Sequence, residues 1–148
     1  MANSRSDLRD PAAALAGIAR RHQLRPGMVI IGLVEHPSTI QHLLDTTVLY
    51  DAAQAPEQAR HCGVLIQRAA ERLFGPRLIL GQPRHTFLTV VVRRGPLVVT
   101  SEDQRWFDGW REAEHRLPVL DGTLVLLTDQ GWMCADKKRV GFLPALVA

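Results

Sequence analysis

Apolar positions along the chain form runs and stripes that predict alternating helices and strands. The stretch Met28–Val34 is an uninterrupted apolar run, which is typical of a strand buried on both faces. Before it, Leu15, Ile18 and Ala19 form a stripe with helical spacing. The pair Asp10-Pro11 supplies an N-cap and a first-turn proline, so we expect a helix from residue 10 to about residue 23.

Two further helices are predicted before the middle of the chain. Ser38 and Gln41 have capping-box spacing and indicate a second helix, whose inner side would carry Ile40, Leu43 and Leu44. A third helix is predicted from Pro56 to Phe74, where Gly75-Pro76 ends it. Its apolar stripe comprises Cys62, Leu65, Ile66, Ala69 and Leu73.

The C-terminal half has the pattern of short strands around one helix. A hairpin of 87–92 with 97–100 is predicted from the Gly-Pro turn at residues 95–96, and 78–80 is a candidate short strand. Ser101 and Gln104 indicate a fourth helix that runs to about residue 116. The Asp129-Gln130-Gly131 turn then predicts a second hairpin of 123–128 with 132–135.

These elements predict an α+β fold of mixed α/β character. We expect a single mixed sheet with two C-terminal β-hairpins and about four packed helices. No repeat is visible in the sequence, and no linker divides the chain. The expected organisation is a flexible N-terminal tail at residues 1–9 and a single globular domain at residues 10–148.

Composition narrows the class of protein. The 148 residues are 46% hydrophobic and 22% charged, which is ordinary for a globular domain. Two cysteines are too few for a disulfide framework, the first residues lack an apolar signal segment, and no run approaches the length that spans a bilayer. We therefore expect a soluble, cytoplasmic protein with reduced thiols and no membrane partner.

One candidate chemistry is a nucleophilic cysteine. Cys62 on the third helix, His85 before the 87–92 strand and Asp103 after the first hairpin have the residue types of a Cys-His-Asp hydrolase or acyltransferase. However, Cys62 falls on an apolar stripe, where a buried small residue belongs. The sequence therefore favours Cys62 as a core residue and keeps the enzyme as an alternative.

A second candidate is a ligand or anion site at the junction of the first strand and the second helix. Glu35, His36 and Ser38 would lie there, next to the free amides of a helix start. The chain has six histidines, but they do not have paired metal-ligand spacing. We expect neither a bound metal nor a cofactor.

A third candidate is a partner surface in the tryptophan-rich C-terminal half. Trp132 follows a tight turn, and Trp110 lies on the fourth helix between Arg105 and Arg111. Tryptophan and arginine are the residues most enriched at interface hot spots. We expect Trp132 to reach the surface and anchor a protein partner or a second copy of the chain.

The net charge of +3 comes from 18 basic and 15 acidic residues, and the basic pairs are dispersed at 20–21, 93–94 and 137–139. Nucleic-acid or anion binding through arginine is a third hypothesis, and it requires basic residues clustered on one surface. The leading hypothesis is a non-catalytic binding or regulatory domain that acts through protein association.

Overall fold

The computed structural model describes residues 7–75, 84–113, 122–135 and 140–141. Within these ranges the helices are α1 (Pro11–Arg21), α2 (Ala59–Phe74) and α3 (Ser101–Ala113). The strands are β1 (Met28–Glu35), β2 (His42–Asp51), β3 (His85–Val92), β4 (Thr123–Thr128), β5 (Gly131–Cys134) and β6 (Val140–Gly141).

The described strands form one mixed six-stranded sheet in the order β2-β1-β3-β4-β5-β6. Neighbouring strands are antiparallel except β3 and β4, which are parallel and are separated along the chain by α3. The predicted α+β class with a single mixed sheet is confirmed. The described part of the chain holds three helices, compared with the predicted four or so.

Two hydrophobic cores lie on opposite faces of this sheet. The side chains on the side of α1, here called the α1 face, come from β1, β3, β4 and β5: Met28, Ile30, Val34, Leu88, Val90, Val92, Val125, Leu127, Trp132 and Cys134. The opposite side, the α2–α3 face, carries Val29, Ile31, Leu33, Phe87, Val91, Leu124, Leu126 and Met133. Burial on both faces explains why β1 is an uninterrupted apolar run, as predicted.

Helices α2 and α3 are in close backbone contact through two glycines. A Cβ on Gly109 would lie 2.5 Å from the Ala59 carbonyl oxygen and 2.5 Å from the Gly63 amide nitrogen. A Cβ on Gly63 would lie 2.8 Å from the Gly109 carbonyl oxygen. The crossing therefore requires residues without side chains at both positions.

The predicted first helix is confirmed, with Asp10 Oδ1 accepting from the amide of Ala13 at 3.1 Å as an N-cap. The second predicted helix is wrong. The residues assigned to it form a turn and then β2, and Ile40, expected on the inner side of a helix, is 67% exposed. A Ser-x-x-Gln pattern is only a local signal, whereas β2 is specified by its pairing with β1.

The predicted hairpin of 87–92 with 97–100 is also wrong. Strand β3 pairs with β1 and β4, and residues 97–100 are not a strand. The segment after β3 is instead held by Arg93, which donates to the carbonyls of Pro96 and Val98 and binds the carboxylate of Asp103. The predicted second hairpin is confirmed as β4 paired with β5.

Helix α3 begins at Ser101, one residue earlier than a capping box with Ser101 as its N-cap predicts. Thr100 and Asp103 cap it reciprocally: Thr100 Oγ1 accepts from the Asp103 amide at 3.2 Å, and Asp103 Oδ2 accepts from the Thr100 amide at 2.9 Å. The predicted strand at 78–80 and the end of the fourth helix near residue 116 lie outside the described residues.

At the N-terminal side, packing begins before the predicted domain boundary at residue 10. Leu8 is 1% exposed in the core of the α1 face, and the amide of Arg9 donates to the carbonyl of Pro37 at 2.8 Å. Among the helices that the structure describes, none has the length and apolar character needed to cross a bilayer.

Candidate functional site

The sulfur of Cys62 belongs to the core between α2 and the sheet. Cys62 is the fourth residue of α2, is completely buried, and faces Gly109 of α3. Burial raises the pKa of its thiol to about 11, an effect that the nearby Arg105 only partly offsets. Because the thiolate is the nucleophilic form, this cysteine is a poor nucleophile near neutral pH.

The other two members of the predicted Cys-His-Asp set lie at opposite ends of β3. His85 is the first residue of the strand, whereas Asp103 binds Arg93, which directly follows its last residue. Eight residues of extended chain span about 26 Å. The structure therefore does not bring His85 and Asp103 together, and the carboxylate of Asp103 is bound by the guanidinium of Arg93 at 2.9–3.1 Å.

The structure instead pairs residues from two different predicted sites. Glu35 of β1 lies directly across from His85 of β3, and the distance from Glu35 Oε2 to His85 Nε2 is 3.6 Å. His85 is 3% exposed and packs edge-on against Phe74. Arg84 also approaches this carboxylate, with its Nε 4.0 Å from Glu35 Oε2.

The predicted anion site after β1 has no helix N-terminus. Residues 36–41 form a turn in which His36 and Gln41 adopt positive φ angles of 48° and 51°. The amides of Thr39 and Gln41, which a helix start would leave free, donate to the carbonyl of His36 at 3.2 and 2.8 Å. Two of the amides that the anion-site hypothesis requires to be free are therefore bonded within the turn.

The expectation that Trp132 reaches the surface is wrong. Trp132 is 6% exposed on the α1 face, and it pairs with Gly141 of β6. A Cβ on Gly141 would lie 2.6 Å from the indole Nε1, so the glycine lets β6 lie against the ring. The third strand of this meander covers the residue that a two-stranded hairpin would have exposed.

The rest of the predicted partner surface lies on α3, on the opposite side of the sheet from Trp132. Trp110 is half-buried against the α2–α3 face. Arg105 donates to the carbonyl of Pro56 at 2.9 Å, and Arg111 lies 3.6 Å from Asp108 on the helix surface. The four residues therefore do not form one continuous surface.

The remaining sequence hypotheses concern metals and arginine clusters. In the ranges that the structure covers, no group of three or more His, Cys, Asp or Glu side chains is arranged to hold a metal ion. Of the basic pairs, Arg93 is bound to Asp103, and residues 137–139 are not described. The arrangement of the described residues therefore adds no support for nucleic-acid binding.

Strand β2 has the geometry of a binding edge. It is ten residues long and is the outermost of the described strands, with β1 on one side. Its outer backbone is partly engaged by side chains, because Arg21 Nη2 donates to the Leu43 carbonyl at 3.0 Å and the Thr46 amide donates to Asp45 Oδ1 at 2.8 Å. An edge strand presents backbone donors and acceptors that a further extended segment can pair with.

A groove runs beside the first half of this edge, between α1 and β2. It has a volume of about 360 Å³ and is lined by Ala13, Ala14, Gly17, Arg20, Arg21, Val34, Gln41, His42 and Leu43. Small residues of α1 form one wall, and two arginines, a histidine and a glutamine supply its polar side chains. A strand that added to β2 would therefore have space for side chains on the α1 face.

Comparisons with known proteins do not place the chain in a family. No family model, no curated protein and no solved structure matches it. Its function is therefore inferred from the geometry of its own residues.

Sequence reasoning missed the β2 edge altogether. The signal that could have found it is the β-branched run Thr46-Thr47-Val48, which favours a strand over a helix. The run follows the Ser-x-x-Gln pattern of Ser38 and Gln41, which predicts the start of a helix.

Proposed function

We propose that this protein is a non-catalytic binding domain that associates with other polypeptides by β-strand addition at β2. The observation that carries the proposal is the position of a ten-residue strand at the edge of the sheet, beside a groove on the α1 face. Strand addition derives affinity from backbone hydrogen bonds and specificity from pockets for alternate side chains. The edge and the groove supply these two elements.

The features of β2 support selective rather than general pairing. Two β-bulges interrupt its register with β1, between Val29 and Ile30 and between Leu33 and Val34. Asp45 adds a charge on the same strand and caps the amide of Thr46. Bulges and edge charges oppose indiscriminate strand association, so a partner has to match the local shape of the edge.

Peptide display on the full chain tests the proposal. Random nine-residue peptides on phage would be selected against the immobilised protein and then measured against two variants at one position. Thr46→Pro removes an amide that donates to a side chain, whereas Thr46→Ala keeps that amide. We expect selected peptides to lose binding to Thr46→Pro and to keep it for Thr46→Ala.

Circular dichroism of each variant serves as the folding control. If the Thr46→Pro variant is folded and binds the selected peptides as well as the wild type does, the peptides do not use this edge and the proposal fails. If the proline variant does not fold, competition by a synthetic peptide of residues 42–51 replaces it, and failure of that peptide to displace the selected peptides would count against strand addition.

A further inference from the structure

Because of the two bulges, the faces on which the β2 side chains lie follow a symmetric pattern along the strand, although the sequence of β2 is not symmetric. Leu44 and Leu49 are the extra residues in the register with β1, and both pack on the α2–α3 face. Each is followed by a residue on that same face, because Tyr50 packs there and Asp45 lies opposite Leu33. At residues 44–45 and again at residues 49–50, two consecutive side chains therefore lie on the same face of the sheet, the α2–α3 face.

The remaining positions alternate as a strand requires. Leu43 and Val48 pack on the α1 face, and Thr46 shares that face because it lies opposite Gly32. Thr47 lies opposite Ile31, and therefore on the α2–α3 face. From Thr47 toward residue 43, and from Thr47 toward residue 51, the side chains occupy the two faces of the sheet in the same order.

We propose that the strand added at β2 is the β2 strand of a second copy of this chain, antiparallel and centred on Thr47. The inference rests on the proposed function, since it names the partner of the same edge. In an antiparallel pair related by a two-fold axis normal to the sheet, opposed residues must share a face. The symmetric face pattern meets this condition at all nine positions from residue 43 to residue 51.

The same register brings opposite charges together. It places Leu43 across from the partner's Asp51, both on the α1 face. Arg21 of α1 already reaches the carbonyl of Leu43, so its guanidinium lies next to that carboxylate. Asp51 is 39% exposed beside Arg25, and its carboxylate has lone pairs for a second guanidinium. Because the proposed dimer is two-fold symmetric, the contact between Arg21 and the partner's Asp51 forms twice.

The apolar contacts in this register are also complementary. On the α2–α3 face, Leu44 lies across from the partner's Tyr50, and Thr47 lies across from its own copy at the axis. On the α1 face, Thr46 lies across from the partner's Val48. Aromatic–aliphatic and Thr–Thr pairs of this kind stabilise neighbouring strands.

Cysteine cross-linking tests the register directly. At the axis, the two Cα atoms of residue 47 would lie about 5 Å apart, within the range of a disulfide. Residue 48 lies off the axis, where the distance between its two copies exceeds that range. Upon oxidation of the full-length variants we expect Thr47→Cys to form a disulfide-linked dimer and Val48→Cys to remain monomeric under denaturing electrophoresis.

Charge reversal provides a second test that does not depend on residue 47. Arg21→Glu and Asp51→Arg would each place like charges across the interface and weaken dimerisation in sedimentation equilibrium by about tenfold or more. An equimolar mixture of the two variants would restore it, because both contacts then join opposite charges. Arg68→Glu, an exposed change of the same charge on α2, is the control and should have no such effect.

The outcomes separate this inference from the proposed function. A chain that stays monomeric at about 200 µM, where weak dimers are already populated, overturns the self-pairing. If that monomer still binds displayed peptides in a manner abolished by Thr46→Pro, strand addition stands with another partner. A dimer that is cross-linked equally through residues 47 and 48, or is unaffected by both charge reversals, also overturns the proposed register.

Discussion

At the scale of single residues, the buried thiol of Cys62 should link stability to pH. Its pKa is raised to about 11 by burial, against an ordinary value of 9.0. The unfolded thiol therefore ionises first, and the stabilisation from the protonated native form is present below pH 9 and lost as the pH rises toward 11. The loss should reach roughly 2 kcal/mol, from about 1.4 kcal/mol per pKa unit.

Urea denaturation of the wild type and of Cys62→Ala between pH 8 and pH 11 measures this effect. The difference in unfolding free energy between the two proteins should shrink with increasing pH, since alanine does not titrate. A constant difference over that range would contradict a raised thiol pKa.

Another residue-scale prediction concerns a buried hydroxyl. Thr89 is completely buried on β3, and its Oγ1 has no hydrogen-bond partner among the described residues. Thr89→Val keeps the shape and removes an unpaired polar group, so it should raise the unfolding free energy by about 1 kcal/mol. Thr128→Val is the matched control, because Thr128 Oγ1 accepts from the Gln130 amide at 2.9 Å and its loss should be destabilising. Opposite signs in thermal melts are expected, and stabilisation by both substitutions would contradict the explanation.

At the scale of elements, the crossing of α2 and α3 should tolerate no side chain at Gly109. A methyl group there would lie 2.5 Å from backbone atoms of α2, which cannot move aside as a flexible side chain would. We expect Gly109→Ala to lower the unfolding free energy by about 1–3 kcal/mol. Gly75→Ala, with no atom of the described residues within 4 Å of the new Cβ, should be neutral or slightly stabilising. Equal effects of the two substitutions in denaturant titrations would exclude close packing as the cause.

The elements that the sequence pattern predicts well are those with strong local signals. Asp10 and Pro11 mark the start of α1, and the turn at residues 129–131 marks the β4–β5 hairpin. The pairing of strands is not predicted in this way. Strand β1 pairs with β3, although β2 and α2 lie between them along the chain, and no local pattern specifies which strand is the partner. The predicted hairpin at 97–100 failed for this reason.

The candidate sites show the same difference between features set by local sequence and features set by contacts between distant segments. Burial of Cys62 could be predicted from its position on an apolar stripe, since helical periodicity is a local property. The pairing of Glu35 with His85 could not be predicted, since it depends on the register of two strands that are distant in sequence. Likewise, Trp132 was expected at a surface that β6 covers.

At the scale of the whole molecule, the two cores should unfold together. Strands β1, β3 and β4 contribute alternate side chains to both faces, so neither core can lose its packing without disturbing the other. Trp106 reports on the α2–α3 face and Trp132 on the α1 face. The chain has a third tryptophan, Trp110. Variants that keep only Trp106 or only Trp132, with the remaining two tryptophans replaced by phenylalanine, allow each face to be observed by fluorescence.

We expect the fluorescence transition of each single-tryptophan variant to coincide with its own transition in far-ultraviolet circular dichroism, as a two-state domain requires. Each variant serves as its own reference, because the substitutions shift its stability. A fluorescence midpoint well below the circular dichroism midpoint in either variant would show that one face melts separately.

The position of β1 between β2 and β3 has a consequence for biosynthesis. The segment Met28–Val34 is apolar throughout and has the composition of an aggregation-prone stretch. It is translated well before β3, and at 5–20 residues per second the ribosome needs roughly 3–12 s to complete His85–Val92 after it. During this interval β2 can pair with β1 but β3 cannot, so nascent chains stalled near residue 75 should bind chaperones more strongly than chains extended well past β3. Cross-linking of such stalled chains to chaperones would measure the difference, and equal binding at both lengths would mean that β2 and the first helices already shield the strand.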